Sequence, residues 1–130
     1  MPGTLLLDSE GLSKLYRKDR GVIAYIEAAR IRGVRTGCTV MTLLEADDPR
    51  IHRARISFAL SLIDVHDVNR ELADAAAAML RTHGLCGHKY AIHAVLAALA
   101  RSGPGPVTVL TSDPEDLTLL CGPAVRIVEV

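Results

Sequence analysis

The sequence has no tryptophan and a single phenylalanine, and aromatic residues make up only 3% of its 130 positions. The 49% that is apolar must therefore pack as an aliphatic, alanine-rich core. The rings that do occur, Tyr16, Tyr25, Phe58 and Tyr90, are too few to build a strip on which bases stack. That disfavours an independent single-strand binding module. Net charge is missing as well: 15 basic and 15 acidic side chains cancel, against a protein that coats nucleic acid. The cysteines, Cys38, Cys86 and Cys121, are odd in number, widely spaced and form no CxxC. They predict a reducing, cytoplasmic setting rather than a disulfide framework. No run reaches the roughly 18 uninterrupted apolar residues of a membrane span. The opening "MPGTLLLDSEG" has three leucines before a charge and is read as neither signal peptide nor anchor. Neither GxxxxGK[ST] nor GxGxxG occurs, which removes the usual nucleotide loops. Ser9 and Ser112 stand beside acids without an evident histidine base, against a serine hydrolase.

What is present is an alternation of short apolar runs with helical patterns, at a length of one domain spanning 1–130. "TLLLD", "VRTGCTVM", "LSLIDV", "VTVLT" and "VRIVEV" read as strands, the last with the alternation of an edge. Between them, "SEGLSKLYRKDRGVIAYIEAARIRG" reads as two helices broken at Gly21. "TLLEADDPRIHRARISFALS" is helical and punctuated at Pro49, and "DVNRELADAAAAMLRTHG" is a helix with Asp67 as N-cap. "LCGHK" reads as a loop before the helix "GHKYAIHAVLAALA", and "DPEDLTLLCG" as a short helix. This order predicts a three-layer α/β/α sandwich around a mainly parallel sheet of about five strands. In such sheets ligands bind beyond the carboxyl ends of the strands.

Acids stand at those ends. Asp8 closes the first strand, Glu45 lies one turn into the helix after the second, and Asp113 and Asp116 follow the fourth. Each has a plainer reading. Thr42-x-x-Glu45 fits a capping box, and Asp113-Pro114 fits a helix start with Asp116 at N3. Asp8 is harder to dismiss, because a carboxylate ending a run of three leucines is costly if buried unpaired. Taken together, several carboxylates in one crevice repel unless a cation is shared. Mg²⁺ or Mn²⁺ with oxygen ligands meets that need, and such a site can activate water against a phosphodiester.

The motifs "LLLDSEGL", "TLLEA", "KYAIHAVLAALA" and "VLTSDPEDL", in this order over the whole chain, resemble the PIN-domain proteins of the VapC toxin type. That resemblance implies a Mg²⁺- or Mn²⁺-dependent ribonuclease that hydrolyses RNA, forms homodimers and is held by a VapB-like antitoxin. It makes Asp8 and Asp113 the central metal ligands and catalytic acids. Glu45 completes the shell or orients the attacking water, and Asp116 is an outer ligand. In one place the sequence departs from the pattern. The family's late helix opens with Asp-Ala, whereas here His93 precedes Ala94. A neutral imidazole ligates Mn²⁺ or Zn²⁺ but suits Mg²⁺ poorly. Three readings stay open: a catalytically degenerate protein that acts by binding RNA or an antitoxin-like partner, a nuclease that works with the remaining acids, or a site with another metal preference. A fourth, plainer reading makes His93 a satisfied histidine on the shoulder of the core stripe.

Two further groups stand out. Cys86-Gly87-His88, with His83 and His93 nearby, matches no four-ligand zinc spacing. Two basic clusters, Lys14, Arg17, Lys18 and Arg20 in one and Arg50, Arg53 and Arg55 in the other, read as solvated faces. As a functional alternative, Arg50, Arg53 and Arg55 are the candidate RNA-binding residues, contacting backbone phosphates. The charges are unevenly spread: residues 1–60 carry 10 Lys/Arg against 7 Asp/Glu, and residues 61–130 carry 5 against 8.

Overall fold

The computed structural model describes residues 2–130. The chain runs β1 (Thr4–Leu7), α1 (Ser9–Tyr16), α2 (Arg20–Ile31), β2 (Arg35–Thr39), α3 (Val40–Ala46), α4 (Arg53–Ser61), β3 (Asp64–His66), α5 (Arg70–Thr82), α6 (Gly87–Ser102), β4 (Val107–Thr111), α7 (Pro114–Cys121) and β5 (Val125–Glu129). The strands form one sheet in the order β3-β2-β1-β4-β5, and every neighbouring pair is parallel. The run of leucines in β1 follows from its place in the middle. Buried on both faces, it sends Leu6 to one side and Leu5 and Leu7 to the other.

Helices α1, α2 and α4 close the Leu5–Leu7 side around Leu12, Tyr16, Val22 and Ile26. Helices α5, α6 and α7 close the other, where Ala94, Leu96, Ala97 and Ala98 bring α6 close against its neighbours. This is the three-layer α/β/α sandwich read from the alternation of elements, with a sheet parallel throughout.

Several boundaries differ from the sequence reading, each for a local reason. The break between α1 and α2 is not at Gly21, which lies inside α2. Lys18 takes a positive φ of 59° and Asp19 then caps α2, accepting from the Val22 amide at 3.0 Å. Helix α5 is capped by Asn69, not Asp67: Asn69 Oδ1 accepts from the Leu72 amide at 2.9 Å. The capping box at Thr42 and Glu45 does not form, because α3 starts earlier. Thr39 is its N-cap and accepts from the Thr42 amide at 3.1 Å. Strand β3 covers Asp64–His66 only, since α4 takes up Leu60 and Ser61. Gly87 opens α6, so the expected loop "LCGHK" is shorter than read.

The order of strands fixes where a site can lie. The chain moves outward from β1 through β2 to β3, then returns to the opposite side of β1 as β4. Between β1 and β4 the connections diverge, and a crevice opens beyond their carboxyl ends. Asp8 follows β1 there and Asp113 follows β4.

Candidate site at the carboxyl edge

Asp8 is the buried centre of this edge, 2% exposed. Its carboxylate is fully engaged. Oδ1 accepts from the Gly11 amide at 2.8 Å, which makes Asp8 the N-cap of α1. Oδ2 accepts from the Thr111 hydroxyl at 2.6 Å and from the Ser112 amide at 3.0 Å. The unpaired burial feared from the sequence is thus avoided by two donors from the β4–α7 turn and one from α1. Thr111 is the hinge of this arrangement. Its oxygen also accepts from the Asp113 amide at 2.8 Å, so one hydroxyl joins Asp8 to the turn that carries Asp113. The motif "VLTSDPEDL" includes Thr111 as the residue that ends the strand two positions before Asp113, and its hydrogen-bonding role becomes visible only in the fold.

Asp113 occupies the N-cap position of α7, with Pro114 behind it, but its side chain makes no capping hydrogen bond. It faces His93 instead. His93 Nε2 lies 3.5 Å from Asp113 Oδ2, and Nδ1 lies 3.5 Å from Asp116 Oδ2. The imidazole, on the second turn of α6, therefore stands between the two carboxylates of α7. Its side chain is 19% exposed, against 56% for Asp113 and 40% for Asp116. A neutral ring has one N–H and one lone pair, so only the doubly protonated ring presents N–H to both acids.

The structure thus joins Asp8 to Asp113 through Thr111, and joins His93 to Asp113 and Asp116. It does not join Glu45 to them. Glu45 is exposed on α3 and makes no side-chain hydrogen bond or ion pair among the described residues. A divalent ion does not fit this set as it stands. Among the described residues no three His, Cys, Asp or Glu side chains gather closely enough to hold one ion. Both ring nitrogens of His93 already face carboxylates, and three of the sites on the Asp8 oxygens are taken by donors. Cys86, His83 and His88 do not gather into a three-ligand group either.

Of the candidate RNA-binding residues, Arg50 is engaged with Asp48, donating from Nε at 3.1 Å and from Nη2 at 2.8 Å. The side-chain and backbone donors of Arg50 hold the Asp48 carboxyl down at about 2. Arg55 joins Arg17 and His52 around an open cleft of about 730 Å³ beside that pair. Arg53 lines a different groove, about 590 Å³, with Met41, Leu44, Ile56 and Leu60. The cluster is therefore split between a basic cleft and an apolar one.

No family model and no curated protein matches the sequence. Among solved structures, a chain of VapBC2 from Rickettsia felis, determined bound to a DNA fragment from its promoter, has a TM-score of 0.70. The likeness covers 98% of both chains at 11% identity, and it is a likeness of fold. The shared fold agrees with the three-layer, PIN-like α/β/α sandwich expected from the sequence.

Proposed function

We propose that this chain is a VapC-like PIN-fold protein that acts by binding an antitoxin-like partner, with a carboxyl-edge site no longer equipped for metal-dependent hydrolysis of RNA. The observation that carries this reading is His93 lodged between Asp113 and Asp116. An imidazole lies between two of the carboxylates that would otherwise share a divalent ion, which supports a site turned from metal binding. Binding is supported by a second feature. Leu44 on α3 is 71% exposed and borders the apolar groove lined by Met41, Ile56 and Leu60. An exposed leucine on the rim of an apolar groove suits a protein-interaction surface. The likeness to a VapBC assembly supports a VapB-like antitoxin as the occupant. A second copy of the chain is the alternative cover, and sedimentation of the chain alone separates the two.

The ribonuclease reading has one observation in its favour. Asp8 and Asp113 lie at adjacent strand ends where parallel sheets bind ligands, and Thr111 ties them together. On that reading Asp8, Asp113 and Asp116 would hold Mg²⁺ or Mn²⁺, which would supply Lewis acidity toward an RNA phosphodiester, and Glu45 would have to swing in from α3 to join them. Calorimetric titration with each ion decides between the readings. The unaltered chain is expected to show no saturable binding of either ion. His93→Asp, which restores a carboxylate, should bind at least roughly tenfold to a hundredfold more tightly, about 1.4–2.7 kcal/mol. Saturable binding by the unaltered chain that is lost in Asp8→Asn favours the nuclease.

A further inference from the structure

We propose that a cleft at the amino edge of the sheet, at the opposite end of the strands from Asp8 and Asp113, binds a small organic oxyanion: a carboxylate or phosphate carried on a flat apolar body. The cleft encloses about 770 Å³, within the range of ligand sites.

Strand register explains its shape. Leu5 pairs with Thr108, and Thr108 pairs with Arg126, so the three form a row across β1, β4 and β5. Side chains paired across strands face the same way, here toward the layer of α1 and α2. At Leu5 that layer covers the row, and Leu5 is 3% exposed. At Arg126 it no longer reaches, and Arg126 is exposed where the row meets the cleft. Helix α2 and its C-cap supply the facing wall with Tyr25, Ala28 and Arg32.

The electrostatics are one-sided. Arg30, Arg35, Arg50 and Arg70 are each paired with a carboxylate. Arg32 and Arg126 have no such partner among the described residues, and no Asp or Glu lines the cleft. Two guanidinium forks without a counter-ion, one from the C-cap of α2 and one from β5, suit the paired oxygens of a carboxylate or phosphate. The Tyr25 ring, 37% exposed, and the methyl of Ala28 offer a flat apolar wall beside them. The floor is firm. A Cβ on Gly3 would clash with the Pro106 carbonyl, and that carbonyl also accepts from the Thr4 amide at 2.9 Å.

The test is a two-dimensional amide NMR titration of the intact chain with adenosine monophosphate and with 2-naphthoate, using inorganic phosphate as the control. The expected result is saturable shifts centred on Ala28, Thr108 and Arg126 with at least one of the two aromatic probes, and weaker binding of inorganic phosphate. Arg32→Gln and Arg126→Gln should each weaken the aromatic probe by about tenfold, the loss of one charged hydrogen-bonding partner. Both arginines are exposed, so the variants should fold, and dispersion of the same spectra confirms that they do. Arg81→Gln, which removes an exposed arginine outside the cleft, unpaired among the described residues, should leave the titration unchanged, which separates this site from a general effect of charge. The proposal is overturned if neither aromatic probe shifts these amides, if inorganic phosphate binds as tightly, or if both glutamine variants bind like the unaltered chain.

Discussion

Asp8 and Thr111 carry the residue-scale argument. A carboxylate 2% exposed is tolerated because three donors reach it, and one of those donors is a side chain from the far end of the sequence. Thr111→Val keeps the shape but removes both the donor to Asp8 and the acceptor for the Asp113 amide. Urea unfolding should show a loss of about 2–3 kcal/mol. The exposed control Thr118→Val on α7 should stay within about 0.5 kcal/mol. The importance of Asp8 was legible in the sequence, since an acid closing an apolar strand demands partners. The importance of Thr111 was not, because β-propensity alone accounts for a threonine there. His93 was legible only as a departure from a motif, and its position between two acids required coordinates. The thiols give a second test at this scale. Burial pushes Cys38 and Cys121 up to about 11, while Cys86 is exposed. The folded chain therefore keeps two protons that the unfolded chain releases near 9.0. Stability should be level below that value and fall as pH rises from about 9 toward about 11. Thiol labelling near about pH 8 should mark Cys86 rapidly and the other two only on unfolding.

Helix caps carry the argument at the scale of the element. Sequence periodicity placed the helices well but misjudged which polar residue starts them. Asp67 and Asn69 both precede α5, and either type is a good N-cap. The choice falls to Asn69 because β3 ends at His66 and the chain needs three further residues before the helix axis begins. Asn69→Ala should cost about 1 kcal/mol in urea unfolding, and Asp67→Ala less than about 0.5 kcal/mol. The reverse order would restore the sequence-based assignment. The same tertiary override explains Thr39. As the last residue of β2 it can face the Thr42 amide only when the helix begins at once, which leaves Glu45 on an outer turn. The break between α1 and α2 also escaped the pattern, because Lys18 adopts a conformation that sequence rules assign to glycine.

For the whole molecule, the alternation of strands and helices was enough to read a parallel α/β/α sandwich, since right-handed crossovers leave few other ways to bury these apolar runs. The switch of direction between β1 and β4 then places Asp8 and Asp113 at one crevice without further information. What the order of elements does not determine is whether those acids form a metal site or are bridged within the protein. That depends on where one imidazole on α6 meets α7. The most direct test is cleavage of RNA by the purified chain in Mg²⁺ and in Mn²⁺, beside Asp8→Asn and His93→Asp. The account predicts that the unaltered chain cleaves no faster than Asp8→Asn in either ion, and that His93→Asp gains cleavage that depends on the ion. Ion-dependent cleavage by the unaltered chain, abolished in Asp8→Asn, would contradict it.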